Sequence, residues 1–364
     1  MLTAMARIVY GCCGEGQGHS SRTLTMTRAL RRQGHEVLVL AARKAFQVLH
    51  PLLPDVREIP GLLLVYRDNR VRFAATARAN FPLLTRKRAI ARDILRVLDD
   101  FQPDLAITDF DPFLPIAAKM AGLPFISLDH QHVIPHLKLR MPPALWAEFQ
   151  LAKWVVNLTH RGERANLVTS FFHAERTPAR LHCLPPILRE EVLRLQPENH
   201  GHVVVYQTSS SFEALPALLK RLPFEFRIYA FDREGKEGNL SFRPRATATF
   251  LEDVATADWV LSNGGYTLLS ECLHLGKPVF SVPVDGQFEQ WLNAHHLEKL
   301  GYGMTAATDT LNEARLRAFA ERKEDFRRRI TRESFNGNEA SLRAILQHLP
   351  GHSQSPLPSP GSPP

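Results

Sequence analysis

One feature constrains this chain more than any other: short apolar runs alternate with longer amphipathic ones along its length. Residues 7–13 read as a strand. Residues 19–33 follow as a helix with Leu24, Ala29 and Leu30 on its apolar side, Gly34 ends it, and 36–41 is the next strand. The order recurs as strand 105–108, helix 112–121 and strand 124–128. It restarts as strand 202–207, helix 212–222, strands 226–230 and 259–262, helix 267–275, strand 279–282 and helix 288–300. Strands that alternate with helices of this length imply parallel sheets covered on both faces. The fold class is therefore α/β, with two tandem doubly wound Rossmann-like domains. The boundaries read as an N-terminal domain over 1–188, a linker over 189–200, a C-terminal domain over 201–349 and a disordered Pro/Ser/Gly-rich tail over 350–364.

Composition narrows the class. At 44% hydrophobic and 23% charged residues, the 364-residue chain has the balance of a globular protein. It lacks the 18 consecutive apolar residues of a membrane-spanning helix. The opening run MLTAMARIVYGCCGEGQGHS reads as strand and loop, not as a signal peptide. Cys12, Cys13, Cys183 and Cys272 have no metal-ligand spacing and suit a reduced, cytoplasmic core. The net charge of +8 is uneven: residues 1–188 carry 25 Lys and Arg against 15 Asp and Glu, the remainder 20 against 22. A basic half beside a near-neutral half implies surfaces with different partners. With no recognised nucleic-acid module, nucleic acid is not among them.

The most informative segment is SNGGYTLLSECLHLGKPVFSVPVDGQFEQWLNAHHLEKLG. A strand ends at Ser262, and Asn263, Gly264 and Gly265 turn into a helix that begins near Thr267. Glycines let a backbone approach a ligand closely. The free N–H groups of a helix start then make a natural diphosphate site, at the strand ends where open parallel sheets bind ligands. Glu271, one turn beyond Thr267, shares its face and can accept from both hydroxyls of a ribose. Glu289 and Gln290 follow the next strand, a carboxylate beside an amide that suits sugar hydroxyls.

This spacing resembles the donor-binding signature of the GT-B glycosyltransferases, namely the UDP-glycosyltransferases and the lipid II-forming N-acetylglucosaminyltransferase. The pattern is nearest a little-characterised prokaryotic branch of that superfamily. The resemblance implies two domains facing across a cleft, the C-terminal one holding a UDP-linked sugar and the N-terminal one the acceptor. It implies that Gly265 contacts the diphosphate, that Glu271 binds the ribose, and that Glu289 and Gln290, followed by Asn293, hold the donor sugar. The sequence departs at Asn263, where the plant-type signature has histidine. Asn can donate to a phosphate oxygen but adds no positive charge. Ser209 and Ser210 are placed as hydroxyl donors near the phosphates, and Phe250 or Leu251 against the base.

In the N-terminal domain, GCCGEGQGHSSR follows the first strand. Its glycines do not meet the dinucleotide spacing, and Ala41-Ala42-Arg43 stands where an acidic residue would end strand two. His19 is the candidate general base, since a neutral imidazole can take the proton of an acceptor hydroxyl. Asp109, in ITDFDPF, can set its tautomer and stabilise the imidazolium, the logic of a Ser-His-Asp site with the acceptor in place of serine. The resemblance supports both roles and implies inversion at the anomeric carbon. Gly16, Gly18 and Arg22 are counted with the donor site, Arg22 lying either against the phosphates or on the surface.

Asp109 and Asp111 also spell Asp-x-Asp, but they lie far in sequence from the diphosphate turn. A helix N-terminus can stabilise the leaving group instead, so no metal or other cofactor is expected to be essential. His130, His132 and His136 lack a completing ligand for zinc and read as acceptor contacts or a packed loop, with Asp129 capping the group. Residues 61–100 hold nine Arg or Lys and four Asp around Phe73, Phe81, Leu83 and Leu84, and Trp146, Phe149 and Trp154 follow. This is either core or a basic, amphipathic rim for an anionic or lipid-linked acceptor, with peripheral contact to the inner face of a membrane. Two rival readings share the site: a UDP-sugar 2-epimerase and a non-catalytic nucleotide-sugar-binding protein.

Overall fold

A computed structural model describes residues 5–67, 70–139, 141–159, 162–174, 178–207, 212–229, 231, 233–244 and 247–351. The chain gathers into two units. The first takes the residues up to Leu64, Ala74–Leu188 and those from Asn336; the second takes Val65–Phe73 and Arg189–Phe335.

The first unit holds strands β1 (Arg7–Cys12), β2 (Glu36–Ala42) and β3 (Val56–Ile59). A short hairpin, β4 (Tyr66–Arg67) and β5 (Arg70–Val71), belongs to the second unit. Strands β6 (Leu105–Asp109), β7 (Phe125–Asp129), β8 (Asn166–Thr169) and β9 (Leu181–Leu184) complete the first sheet, an all-parallel array in the order β3-β2-β1-β6-β7-β8-β9. Its helices are α1 (Gln17–Arg32), α2 (Arg43–Leu49), α3 (Phe73–Thr85), α4 (Lys87–Phe101), α5 (Leu114–Ala121) and α6 (Trp146–Thr159).

Strand alternation builds two cores. Ile8, Tyr10 and Cys12 of β1 pack with Met26 and Leu30 of α1, while Val9 packs on the other face with Ile90, Ile94 and Leu98 of α4 and Leu114 and Ala117 of α5. This two-sided burial is why the strands read as continuous apolar runs.

In the second unit α7 (Glu190–Leu193) lies within the stretch expected as a linker, and α8 is Leu215–Leu219. Strands β10 (Val203–Tyr206), β11 (Phe226–Tyr229), β12 (Gly235–Glu237), β13 (Leu240–Phe242), β14 (Trp259–Ser262), β15 (Val279–Ser281) and β16 (Gly303–Thr305) form a sheet in the order β12-β13-β11-β10-β14-β15-β16. All its pairs are parallel except β12 with β13. The remaining helices are α9 (Thr247–Thr256), α10 (Tyr266–His274), α11 (Phe288–Lys299), α12 (Glu313–Ile330) and α13 (Asn338–Leu346). Trp259, Phe280, Phe319 and Phe326 fill the core under α12.

Helix α13, last in the chain, belongs to the first unit: Ala344 and Ile345 join the core of β1 and α1. Asn338 clasps the backbone of Leu188, accepting from its N–H at 2.8 Å and donating to its carbonyl at 2.9 Å. A Cβ on Gly337 would stand 2.1 Å from the Pro185 carbonyl oxygen, so only glycine passes there. Residues 336–349, read from sequence with the C-terminal domain, therefore lie with the first unit. In both sheets the strand order reverses direction beside the first strand, between β1 and β6 and between β10 and β14. Such switch points are where open α/β sheets receive ligands.

Candidate functional site

In the first unit, register places Cys12 beside Asp109 at the carboxyl ends of β1 and β6. The loop from β1 enters α1 through Gly16, whose φ of 76° favours glycine, and Gly18 and His19 lie in the first turns of α1. His19 Nδ1 lies 2.6 Å from Asp109 Oδ1. A carboxylate can only accept, so Nδ1 carries a proton and donates; in the neutral ring Nε2 is then the accepting nitrogen. The His19 side chain is 12% exposed, while Asp109 is fully buried. The pair therefore combines a nearly buried imidazole, a fixed tautomer and an accepting nitrogen.

Arg22 is buried and is not a surface arginine. Its Nε donates to Asp109 Oδ2 at 2.8 Å and its Nη2 to Oδ1 at 2.5 Å. The guanidinium expected near donor phosphates is forked on the carboxylate that orients His19, with Nη2 3.2 Å from His19 Nδ1.

Phe110 has a φ of 56°, a strained conformation for a bulky residue. The turn sends the two carboxylates of Asp-x-Asp to different neighbours. Asp109 meets His19 and Arg22, whereas Asp111 Oδ2 accepts from the N–H groups of Phe113 at 3.2 Å and Leu114 at 2.7 Å, at the start of α5. Burial pushes the Asp111 carboxyl up to about 7. Among the described residues no group of three or more His, Cys, Asp or Glu is arranged to hold a metal ion.

Sequence reading passed over Gln131. Its Nε2 lies 3.5 Å from His19 Nε2, on the short helical turn Gln131–His136. The histidines beside it diverge. His130 Nδ1 bonds the Thr169 carbonyl at 2.8 Å, and His132 Nδ1 meets Asp129 Oδ2 at 2.8 Å. Burial opposes a charge on His132, but Asp129 lifts it above the usual histidine range. His136 is lowered by burial and by the neighbouring His132 and Lys153.

In the second unit, β14 ends at Ser262, and Gly264 turns the chain at a φ of 83°. A Cβ there would stand 2.8 Å from the Gln290 carbonyl oxygen and from Ser281 Oγ. Asn293 Nδ2 donates to the Gly264 carbonyl at 3.1 Å. Asn263 Nδ2 donates to Gln207 Oε1 at 2.8 Å and to the Val282 carbonyl at 2.9 Å, so this amide braces the turn. Gly265 is the N-cap of α10 and brings no side chain to the N–H groups of its first turn; open space surrounds the position its Cβ would take. Half-buried Thr267 lies in that turn.

Glu271 is fully buried, and Arg189 forks onto it, Nε to Oε1 at 2.6 Å and Nη2 to Oε2 at 2.5 Å. Nothing in the sequence pointed to Arg189, 82 residues away. Glu289 and Gln290 open α11; Gln290 Oε1 accepts from the Val284 N–H at 2.9 Å, and Glu289 is half-buried. The β4–β5 hairpin joins the loop just before them. The Val71 N–H donates to the Asp285 carbonyl at 2.9 Å, Arg70 pairs with Asp285 at 3.2 Å, and Gln287 bonds the Tyr66 hydroxyl. Phe250 packs against Tyr206 and Tyr229 with ring centroids 5.3 and 5.0 Å away. Ser209 and Ser210 lie outside the described residues.

Phe81, Trp146 and Trp154 are 65%, 61% and 60% exposed, so these three aromatics are not core. No helix among the described residues is long and apolar enough to cross a membrane.

The model of glycosyl transferase family 1 matches residues 6–323. An uncharacterized glycosyltransferase of Methanosarcina acetivorans is 23% identical over 354 residues, covering 90% of this chain and 93% of its own. A PGL/p-HBAD biosynthesis rhamnosyltransferase of Mycobacterium bovis is 24% identical over 364 residues, covering 85% of this chain and 79% of its own. Among solved structures, the calicheamicin glycosyltransferase CalG4 has a TM-score of 0.67 at 17% identity, covering 95% of this chain and 98% of its own. MurG of Acinetobacter baumannii has 0.63 at 13%, covering 94% and 99%. These matches support the GT-B fold and do not favour the epimerase or the binding protein.

Proposed function

The chain belongs to glycosyl transferase family 1, and for this glycosyltransferase we propose transfer of a sugar from a UDP-linked donor to an acceptor hydroxyl, with inversion and with His19 as base. The contact of His19 Nδ1 with Asp109 Oδ1 at 2.6 Å carries the reading. The acceptor oxygen attacks the anomeric carbon as the bond to the diphosphate breaks, and its proton passes to His19 Nε2. Asp109 stabilises the imidazolium that forms. General-base catalysis of this kind contributes roughly 10²–10⁴-fold.

On the donor side, the first turn of α10 meets the diphosphate and the charge that develops as it leaves. Glu271 takes the ribose hydroxyls and Glu289 with Gln290 the sugar. Gly16, Gly18, Ser209, Ser210, Asn263 and Phe250 stay as donor-site proposals, Asn263 and Phe250 through the packing they provide. A metal ion is not essential, because the helix start supplies the electrostatic stabilisation.

A nucleoside diphosphate donor is supported by one of the similar proteins: a Streptomyces glycosyltransferase, SsfS6, was solved with thymidine diphosphate. That complex makes a thymidine-linked sugar the second reading. A thermal-shift panel of UDP- and dTDP-sugars decides between them, since a ligand that binds native protein raises its melting temperature. If no nucleotide stabilises the protein, the proposal fails.

The acceptor is anionic or lipid-linked. Seven Arg or Lys and no carboxylate lie between Arg70 and Arg92, around exposed Phe73, Phe81 and Leu84. Such a segment favours an anionic surface, and the protein would work in the cytoplasm with peripheral contact at the membrane. Sedimentation with phosphatidylglycerol vesicles and loss of binding in 0.5 M salt is the expected behaviour.

A further inference from the structure

Arg22 makes the carboxylate beside His19 unlike a bare one. A buried carboxylate next to an imidazole ordinarily raises the pKa of that imidazole, so that it charges near neutral pH and ceases to be a base. Here the guanidinium holds both oxygens of Asp109 and places Nη2 3.2 Å from His19 Nδ1. His19 therefore faces an ion pair, not an isolated negative charge. The fork also fixes the rotamer of Asp109, because a planar guanidinium on both oxygens leaves the carboxylate a single plane.

We propose that Arg22 is a positioning residue that locks Asp109 towards His19 and keeps His19 uncharged, and thus able to accept a proton, at neutral pH. This rests on the reading of His19 as the base. Other groups face the pair from the surrounding elements. Burial, then the charge of Asp109, pushes Tyr10 and Cys12 of β1 well up, so both stay neutral. Burial pushes Cys13 up to about 12 and Asp111 up to about 7. Glu15, before α1, is raised by burial and feels Lys44, Arg43 and His19. Gln131 carries no charge. Arg22 is the cation forked on Asp109, so its removal changes the field at His19 by a full charge.

The experiment is the pH profile of kcat/KM for UDP release in wild type, R22M, R22K, D109N and R22M/D109N, with H19A alongside. In R22M the acidic limb moves up by about one pH unit, so activity falls by up to about tenfold on the acid side of the limb. Most of it returns above pH 8.5. R22K keeps the charge and loses the fork, so its limb stays near that of wild type while kcat falls. D109N moves the limb down, and the double variant, which removes both charges of the buried pair and guards against misfolding, brings it back towards wild type. A loss in R22M that is equal at every pH, with its acidic limb unmoved and that of D109N unmoved as well, overturns the proposal and leaves Arg22 a structural residue. Full activity in H19A overturns the base reading instead, whatever R22M does.

Discussion

Each unit carries a fully buried carboxylate held in the fork of a nearby arginine: Asp109 with Arg22 in the first, Glu271 with Arg189 in the second. The chemistry of the two pairs is the same, and their third partners separate them. Asp109 shares Oδ1 with the ring of His19, a group that can take up a proton. Glu271 sits within α10, whose first turn offers N–H groups that can only donate. One ion pair thus touches a titratable side chain, and the other lies on a helix whose start offers N–H groups. The difference fits the proposed division of labour, with proton transfer in the first unit and the donor diphosphate in the second.

The sharpest way to break this comparison is Asp109→Ala. It strands Arg22 in the interior and frees the ring of His19. Loss of one member of a buried pair costs about 3–5 kcal/mol, and loss of the orienting carboxylate lowers kcat by roughly 10²–10⁴-fold. Denaturation and UDP-release kinetics on the same sample check both. A stable variant with unchanged kcat would erase the distinction between the units.

Glu271→Gln should act on binding instead. It removes the charge assistance of a hydrogen bond worth about 1.5–3 kcal/mol, so the Kd for UDP rises roughly 10–100-fold by calorimetry while kcat at saturating donor changes less than threefold. An equal loss in kcat would place Glu271 with the chemistry. Arg189→Lys, which keeps the charge but not the planar fork, should give a weaker form of the same effect.

The smallest effect concerns Asp111. Burial raises its carboxyl to about 7, above the ordinary aspartate range. A carboxyl raised on folding favours the protonated form, so its destabilising contribution grows as pH rises from about 4 to 7 and is complete above that. Asp111→Asn keeps an acceptor for the Phe113 and Leu114 N–H groups. Its stability relative to wild type should therefore improve between pH 4.5 and 8, as melting temperatures would show. A flat difference would mean that Asp111 is ionised in the folded protein at acid pH.

Much of this was legible in sequence because parallel strands and their helices leave a strong local signature. The turn at Gly264 and Gly265, the start of α10 and the strand ahead of Asp109 all fall within a residue or two of where the pattern places them. What stayed hidden was long-range or side-chain geometry. No local pattern announces that Arg189 will meet Glu271, or that residues 338–346 will cross back to pack on α1. Arg22 was visible as a neighbour of His19 on one helix face, but its commitment to Asp109 depends on the register of β1 with β6. The hairpin at Tyr66 and Arg70 is too short for any periodicity, and its partner is the loop at Asp285. That the amide of Asn263, able to donate to a phosphate oxygen, also braces the turn through Gln207 and Val282 depends on contacts far apart in sequence.

Binding of the donor and removal of the acceptor proton, proposed for different units, come apart in His19→Ala. UDP-sugar affinity and UDP release would be measured on the same preparation. Thermal stabilisation by the donor should be unchanged, with turnover at least about a hundredfold lower. Turnover within a few fold of wild type, or loss of donor stabilisation together with turnover, would contradict this division.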